Sequence, residues 1–355
     1  MTHAHRLAGL AALSISCTTT DPEPMAIPND ARLVTVTASD DYSAGGLAVV
    51  PDGGGSPVDV TSLHGDAVVD TVGPVVVAIN RLGMDTIRRY DVLGGAPTWE
   101  VSTERGSNPH AVAAAAGRWL VTRYEETEAW VLDPNTGDLL GVVDLAGEAD
   151  IDGIPEMSSA VAEGDLVLVG LQRLDRDNNW TADPQGRVAV IDPVELSVVR
   201  MLPVGPNPVL EAHPDGGAVA ACEDGLWRVQ ADGRVSGPVR PDGLDDTIGA
   251  LTVANDGSTY VITRPCLFCS EHTVRCLEAW DGPLVGQTEP ISVFLSNIAV
   301  LDDTVWIAAR RGWEDPSTAG GLVPLSRSDC GPLPPPDDWF RGTFAPYDLA
   351  VRDPA

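Results

Sequence analysis

The sequence predicts an all-β chain folded as a closed seven-bladed β-propeller. Three observations predict it. Helix signals are nearly absent after residue 30, since no long segment keeps apolar residues at helical spacing. Short runs rich in Val, Ile, Leu and Trp alternate with Gly, Asp, Pro and Asn turns. A four-strand unit recurs, with first strands beginning near residues 68, 108, 155, 207, 248, 296 and 345. Those spacings, 40 to 52 residues, match the ~40–50-residue period of propeller blades.

The first 17 residues, MTHAHRLAGLAALSISC, are of another kind. A weakly basic start with Arg6 precedes an apolar stretch from Leu7 to Ile15, too short to span a bilayer and suited to the core of a signal peptide. Cys17 then stands where a bacterial lipoprotein signal carries the Cys that becomes the lipidated first residue. Ser14 replaces the usual Leu, so ordinary cleavage near Ser16, giving a soluble periplasmic or secreted protein, is the competing reading. Residues 18–30 are polar and Pro-containing and read as a flexible tether, and residues 31–355 as one propeller domain.

The clearest repeat is NPHAVAAAAG, RWLVTRYE, EAWVLDPNTG and DLLGVVDLA from Asn108. Its Asn135–Gly137 turn supplies residues that tolerate positive φ. One similar copy precedes it and four follow. Residues 32–62 hold only three strands, RLVTVTA, GGLAVVPDG and SPVDVTSL, and lack an innermost one. APYDLAV, Ala345–Val351, supplies that strand, so the two ends of the chain pair and shut the ring. Closure matters because an open sheet edge invites association with other chains. A six-bladed ring is the alternative, because the repeat from residue 296 has a poorly defined fourth strand.

Composition narrows the function. At 43% hydrophobic residues the chain is too apolar for disorder, yet no run reaches the roughly 20 residues of a membrane-spanning helix. A formal net charge of −30 disfavours nucleic acid or an anionic membrane surface as a partner. All 22 basic residues are Arg, which reads as the codon bias of a GC-rich genome. There is no G-x-S-x-G, no H-E-x-x-H and no phosphate-binding glycine loop.

Propeller topology assigns the loops. With strands a to d counted from the centre outwards, the d–a and b–c connections share one face. Residues 146–156 are a d–a connection and residues 175–186 the b–c connection of the same blade, so their acidic groups lie side by side. The first carries Asp150, Asp152 and Glu156, and the second Asp175, Asp177 and Asn179, spaced like the start of a calcium loop. Hard oxygens at alternate positions suit Ca²⁺. Gly186 occupies the place of the closing Glu, a role Glu156 could fill. The competing reading is turn hydrogen bonding in solvated loops.

On the same face the second strand of several blades ends in Arg: Arg81, Arg123, Arg173, Arg264 and Arg310. Such a ring either pairs internally with acidic loops, including Asp150, Asp152, Asp245 and Asp246, or holds an anionic ligand or partner segment. His110 and Asn207, at the starts of inner strands, are further ligand-binding candidates. Trp119, Trp130, Trp227, Trp280 and Trp306 fall in predicted strands as interblade packing, whereas Trp180, Trp313 and Trp339 fall in loops and suit a ligand better.

Five cysteines follow Cys17: Cys222, Cys266, Cys269, Cys276 and Cys330. The segment CLFCSEHTVRC offers zinc Cys266, Cys269, His272 and Cys276. Export favours disulfides among Cys266, Cys269, Cys276 and Cys330 instead, in a pairing the sequence leaves open, with Cys222 left over.

The repeat form resembles the YncE-like seven-bladed propellers of bacterial envelopes. Residues 144–192, with DLAGEADIDGIPEM, LVLVGLQRLDRDNNW and GRVAVID, are similar to uncharacterised propeller lipoproteins of Gram-negative bacteria that share Asp-x-Asp-Gly-x-Pro-Glu followed by Gln-Arg-Leu-Asp-Arg. The resemblance implies the propeller fold and an envelope address; the signal and the ring architecture add the expectation of a monomeric outer-membrane lipoprotein held by its lipid alone, with an envelope protein, peptide or glycan as partner. The expected function is non-catalytic binding through the loop-rich face. The alternative is a propeller enzyme (lactonase, lyase or quinoprotein-like) with a central funnel site built from Glu156, Arg173, His110 and Arg123.

Overall fold

Leu33–Ala38 pairs antiparallel with Ala345–Val351, Leu33 opposite Val351 and Ala38 opposite Ala345, so the C-terminal strand becomes the innermost strand of the N-terminal sheet. This computed structural model describes residues 30–51, 54–241, 244, 246–266, 269, 271–311, 319–328 and 330–353. Cys17, most of the tether, Asp245 and Trp313 lie outside the described residues.

Seven sheets follow, each ordered from the centre outwards. Blade 1 is Ala345–Val351, Leu33–Ala38, Gly45–Val50 and Val58–Leu63. Blade 2 is Ala67–Val72, Val75–Asn80, Thr86–Tyr90 and Trp99–Ser102. Blade 3 is Pro109–Ala115, Arg118–Arg123, Glu128–Leu132 and Leu139–Asp144. Blade 4 is Met157–Glu163, Leu166–Leu171, Gly186–Asp192 and Ser197–Val204, with a small hairpin, Leu174–Asp175 and Thr181–Ala182, inserted between its second and third strands. Blade 5 is Val209–Ala212, Ala218–Cys222, Gly225–Val229 and Val235–Val239. Blade 6 is Thr247–Val253, Thr259–Arg264, Thr273–Leu277 and Leu284–Gln287. Blade 7 has Phe294–Leu301, Thr304–Arg310 and Gly321–Ser326, and Phe340 makes a lone bridge to Leu322 where a fourth strand would begin. Each innermost strand touches the next all the way round, which excludes the six-bladed alternative.

Period-2 alternation explains the packing. In Val75–Asn80, Val76 and Ala78 face the blade 1 side, whereas Val77 and Ile79 face blade 3. A second strand is therefore buried on both faces and reads as a continuous apolar run, unlike the alternating outer strands such as Trp99–Ser102. The core is seven apolar clusters, one per interblade seam, and the seam between blades 7 and 1 holds Leu33, Val50, Ala308, Leu322 and Leu349. Trp119, Trp130 and Trp306 are buried in seams as expected. Trp339, expected as a loop ligand, is buried too, and Trp280 sits in a turn rather than a strand.

Cys266 pairs with Cys269, and Cys276 with Cys330, leaving Cys222 as a free buried thiol. The disulfide expectation holds and the cysteine-based zinc reading does not, since its thiols are consumed.

Candidate functional site

The inserted hairpin of blade 4 opens with a single turn at Arg176–Asn178. Asp175 caps it by accepting from the Asp177 amide at 3.1 Å, and Asn179 follows with a left-handed φ of 57°. From this turn Arg176 reaches back across the face. Its Nε donates to Glu156 Oε1 at 3.0 Å and lies 3.5 Å from Asp152 Oδ2. Its Nη1 pairs with Glu125 of blade 3, and its guanidinium lies 5.0 Å from the Trp180 ring and 5.9 Å from the Tyr124 ring.

Glu156 is 0% exposed, and its second oxygen accepts from the Leu174 amide at 3.0 Å. Burial pushes its pKa up to about 7, against the pull of those hydrogen bonds. Its φ is +44°, at the place where blades 3 and 5 carry Asn108 and Asn207 at +49° and +56°. Asn tolerates that backbone far better than Glu, so the fold holds Glu156 there under strain.

The acidic loops do meet on one face, as the topology requires. The charge at their centre, however, is a guanidinium. Asp150 accepts from the Asp152 amide at 3.1 Å and Asp152 from the Ile154 amide at 2.9 Å. Asp177 is exposed. Among the described residues no group of three or more His, Cys, Asp or Glu side chains is placed to hold a metal ion. In this arrangement Asp150 and Asp175 serve turns, and Asp152 and Glu156 pair with Arg176.

The arginines at the ends of second strands divide into two kinds. Arg123 is buried against Trp130, 4.6 Å from its ring, and pairs with Glu104 at 2.9 Å. Arg173 pairs with Asp183 at 2.9 Å and donates to the Gln185 carbonyl. Both are tied to neighbouring loops. Arg264 makes no ion pair among the described residues; it lies near buried His272, whose pKa falls to about 4, first through burial and then through Arg264. Asn207 shapes its turn and reaches Glu223 at 3.4 Å.

Arg81 and Arg310 belong together. Arg81 Nη2 pairs with Asp66 at 2.7 Å and donates to the Tyr347 hydroxyl at 2.8 Å. Arg310 approaches the same tyrosine from blade 7, 5.3 Å from its ring and 4.3 Å from that of Tyr42. On the far side of Arg81, His110 stacks on Tyr124 with ring centroids 4.2 Å apart, and Tyr124 donates to Gln172 at 2.8 Å. Burial, then the Arg81 charge, keeps His110 well below the usual histidine range. A belt of aromatic and guanidinium groups thus runs over blades 7, 1, 2, 3 and 4. Tyr42, Tyr124, Gln172, Arg176 and Tyr347 were not legible as site residues, although Gln172 and Arg176 stand inside the QRLDR element.

No family model matches the chain, and no curated protein matches it. Solved structures do. A candidate 6-phosphogluconolactonase from Bacteroides fragilis aligns with a TM-score of 0.65 at 15% identity, over 92% of this chain and 99% of that one. Apo AztD from Citrobacter koseri aligns with a TM-score of 0.53 at 13% identity, over 92% and 99%. A streptogramin B lyase aligns with a TM-score of 0.56 at 13% identity, over 79% and 92%. At such identities the likeness carries the fold alone, a seven-bladed β-propeller.

Proposed function

We propose that this chain is an exported, YncE-like propeller, lipid-anchored through Cys17, that binds an envelope protein, peptide or glycan on its d–a and b–c face without catalysis. The observation that carries the reading is a pair of apolar side chains on held loops. Ile151 is 86% exposed and Trp180 51% exposed, on the two segments that Arg176 joins to Glu156, Asp152 and Glu125. Large apolar groups presented on preorganised loops are what interface hot spots use. The acyl chains would carry the membrane attachment, which leaves the acidic body free of the bilayer.

The test is cross-linking of the full chain in envelope extracts, with Ile151→Ser/Trp180→Ala in parallel. Wild type should capture a discrete species that the equally stable variant loses. Capture of the same species by both would sink the reading.

A propeller enzyme is the second reading, and the observation favouring it is Glu156, whose pKa of about 7 suits a general acid or base. Both Glu156 oxygens are already engaged and shut from solvent, so binding is the better account.

A further inference from the structure

We propose that the mouth of the funnel between blades 7, 1 and 2 binds an oxyanion, a carboxylate or phosphate group, with Arg310 and Arg81 as its cationic walls and Tyr42 and Tyr347 as its aromatic frame. The proposal rests on the binding-face reading and adds the chemistry of the ligand.

Arg310 ends the second strand of blade 7 and turns inward, towards the innermost strand of blade 1. It is 5% exposed. Its Nη2 donates to the Ser39 carbonyl at 3.0 Å, whereas Nη1 is buried without a partner. Among the described residues no carboxylate stands within ion-pair distance of it. Arg123 is buried as deeply and keeps Glu104 at 2.9 Å. With 52 acidic residues against 22 arginines, leaving a buried guanidinium without an acid is not forced by composition. Taking an unpaired cation out of water is unfavourable, and two ring faces offset only part of that cost. A bound oxyanion would complete the balance.

The second wall is independent. Arg81 reaches Tyr347 from blade 2 and pairs with Asp66, which leaves Arg310 as the guanidinium of the cluster without a carboxylate among the described residues. Tyr347 accepts from Arg81 and therefore has its own hydroxyl proton free to donate. Burial raises its pKa to about 12, so that proton stays in place at neutral pH. Tyr42 and Tyr347 both keep part of their surface open to solvent. The free guanidinium N–H groups and the phenol O–H are donors beside positive charge, which suits an oxyanion.

Calorimetric titration of the full chain with succinate and with inorganic phosphate, at matched ionic strength, tests this. We expect saturable binding of at least one probe. Arg310→Gln should weaken it at least tenfold and Tyr347→Phe by less, while Arg234→Gln, remote from the cluster, should leave it unchanged. If Arg310→Gln does not fold, Arg81→Gln serves, because it leaves Asp66 facing the ligand and should abolish binding. Preference for succinate identifies a carboxylate ligand, and preference for phosphate a phosphorylated one. No saturable binding of either probe, or equal binding by the folded Arg310 and Arg81 variants, would overturn the proposal. Partner capture through Ile151 and Trp180 does not require these residues, so either claim can fail alone.

Discussion

Arg176 and Glu156 meet at 3.0 Å although they lie 20 residues apart, on different connections of the propeller. The contact joins the Asp-x-Asp-Gly-x-Pro-Glu element to the Gln-Arg-Leu-Asp-Arg element, and it accounts for a Glu held at positive φ.

Removing one partner of such a pair should cost more than removing both. Arg176→Ala leaves Glu156 buried without its cation, at a cost of about 3 kcal/mol, the low end for a buried pair because Arg176 is itself partly exposed. Glu156→Gln in the same chain should recover part of it. A urea-unfolding double-mutant cycle measures the coupling. Strictly additive losses would show that the two side chains do not depend on one another.

The architecture was legible because it repeats. The missing innermost strand of residues 32–62 and the spare APYDLAV strand could be matched by strand count alone, and the structure pairs them. The proximity of Asp152 to the hairpin followed from topology without any side-chain knowledge. Side-chain direction was not legible. Arg123 and Arg310 occupy the same place in their blades, yet one lies on Trp130 and the other against Tyr347. Strand register does not set which way a long guanidinium arm turns at a strand end. Tyr42 and Tyr347 become neighbours only when the ring closes, and their ring centroids are then 5.8 Å apart.

Stability should fall as pH rises towards 8. Burial pushes the pKa of Asp70 up to about 7 and that of Glu211 to about 8, and raises that of Asp348, with the three repelling one another from inner strands of blades 2, 5 and 1. In the unfolded chain these carboxyls ionise near pH 4. The folded state thus binds more protons between about pH 4 and pH 8, and their contribution is lost as pH rises through that window. His272 and His110 act oppositely: both are depressed by burial, so their contribution is present above about 6.5 and lost as pH falls. With three raised carboxyls against two depressed imidazoles the carboxyls win, so the melting temperature should be higher at pH 5 than at pH 8. Asp70→Asn keeps an acceptor for the Val112 amide, now 2.6 Å from Asp70, and should stabilise the protein at pH 8 by on the order of 1 kcal/mol with little effect at pH 5. A variant that melts lower at pH 8 would contradict the burial argument.

The two disulfides should contribute unequally. Cys276–Cys330 is buried, ties blade 6 to the chain beyond blade 7 and spans 54 residues. Cys266–Cys269 spans 3 residues and lies nearer the surface. Loop-closure entropy gives roughly 4 kcal/mol for the first and roughly 2 kcal/mol for the second. Paired Cys→Ser variants compared by denaturant midpoint should show that order. Mild reductant should open Cys266–Cys269 first, as mass spectrometry of alkylated thiols would reveal.

Closure of the ring is the most demanding prediction. Ala345–Val351 pairs with Leu33–Ala38 on one edge, while Asp348 accepts from the Val69 amide of blade 2 at 2.8 Å and Thr35 donates to the Asp348 carbonyl at 2.9 Å. Leu349 also fills the seam between blades 7 and 1. A chain ending at residue 344 would lose all of these and expose the edge of Leu33–Ala38, whose six residues are buried. It should therefore associate or unfold, as seen by light scattering and a melting temperature lowered by more than about 10 °C, a loss of several kcal/mol for a domain of this size. A peptide of residues 345–355 added in trans should restore part of the monomer. A truncated chain that stays monomeric with its melting temperature intact would mean that the seams, not the paired termini, hold the ring.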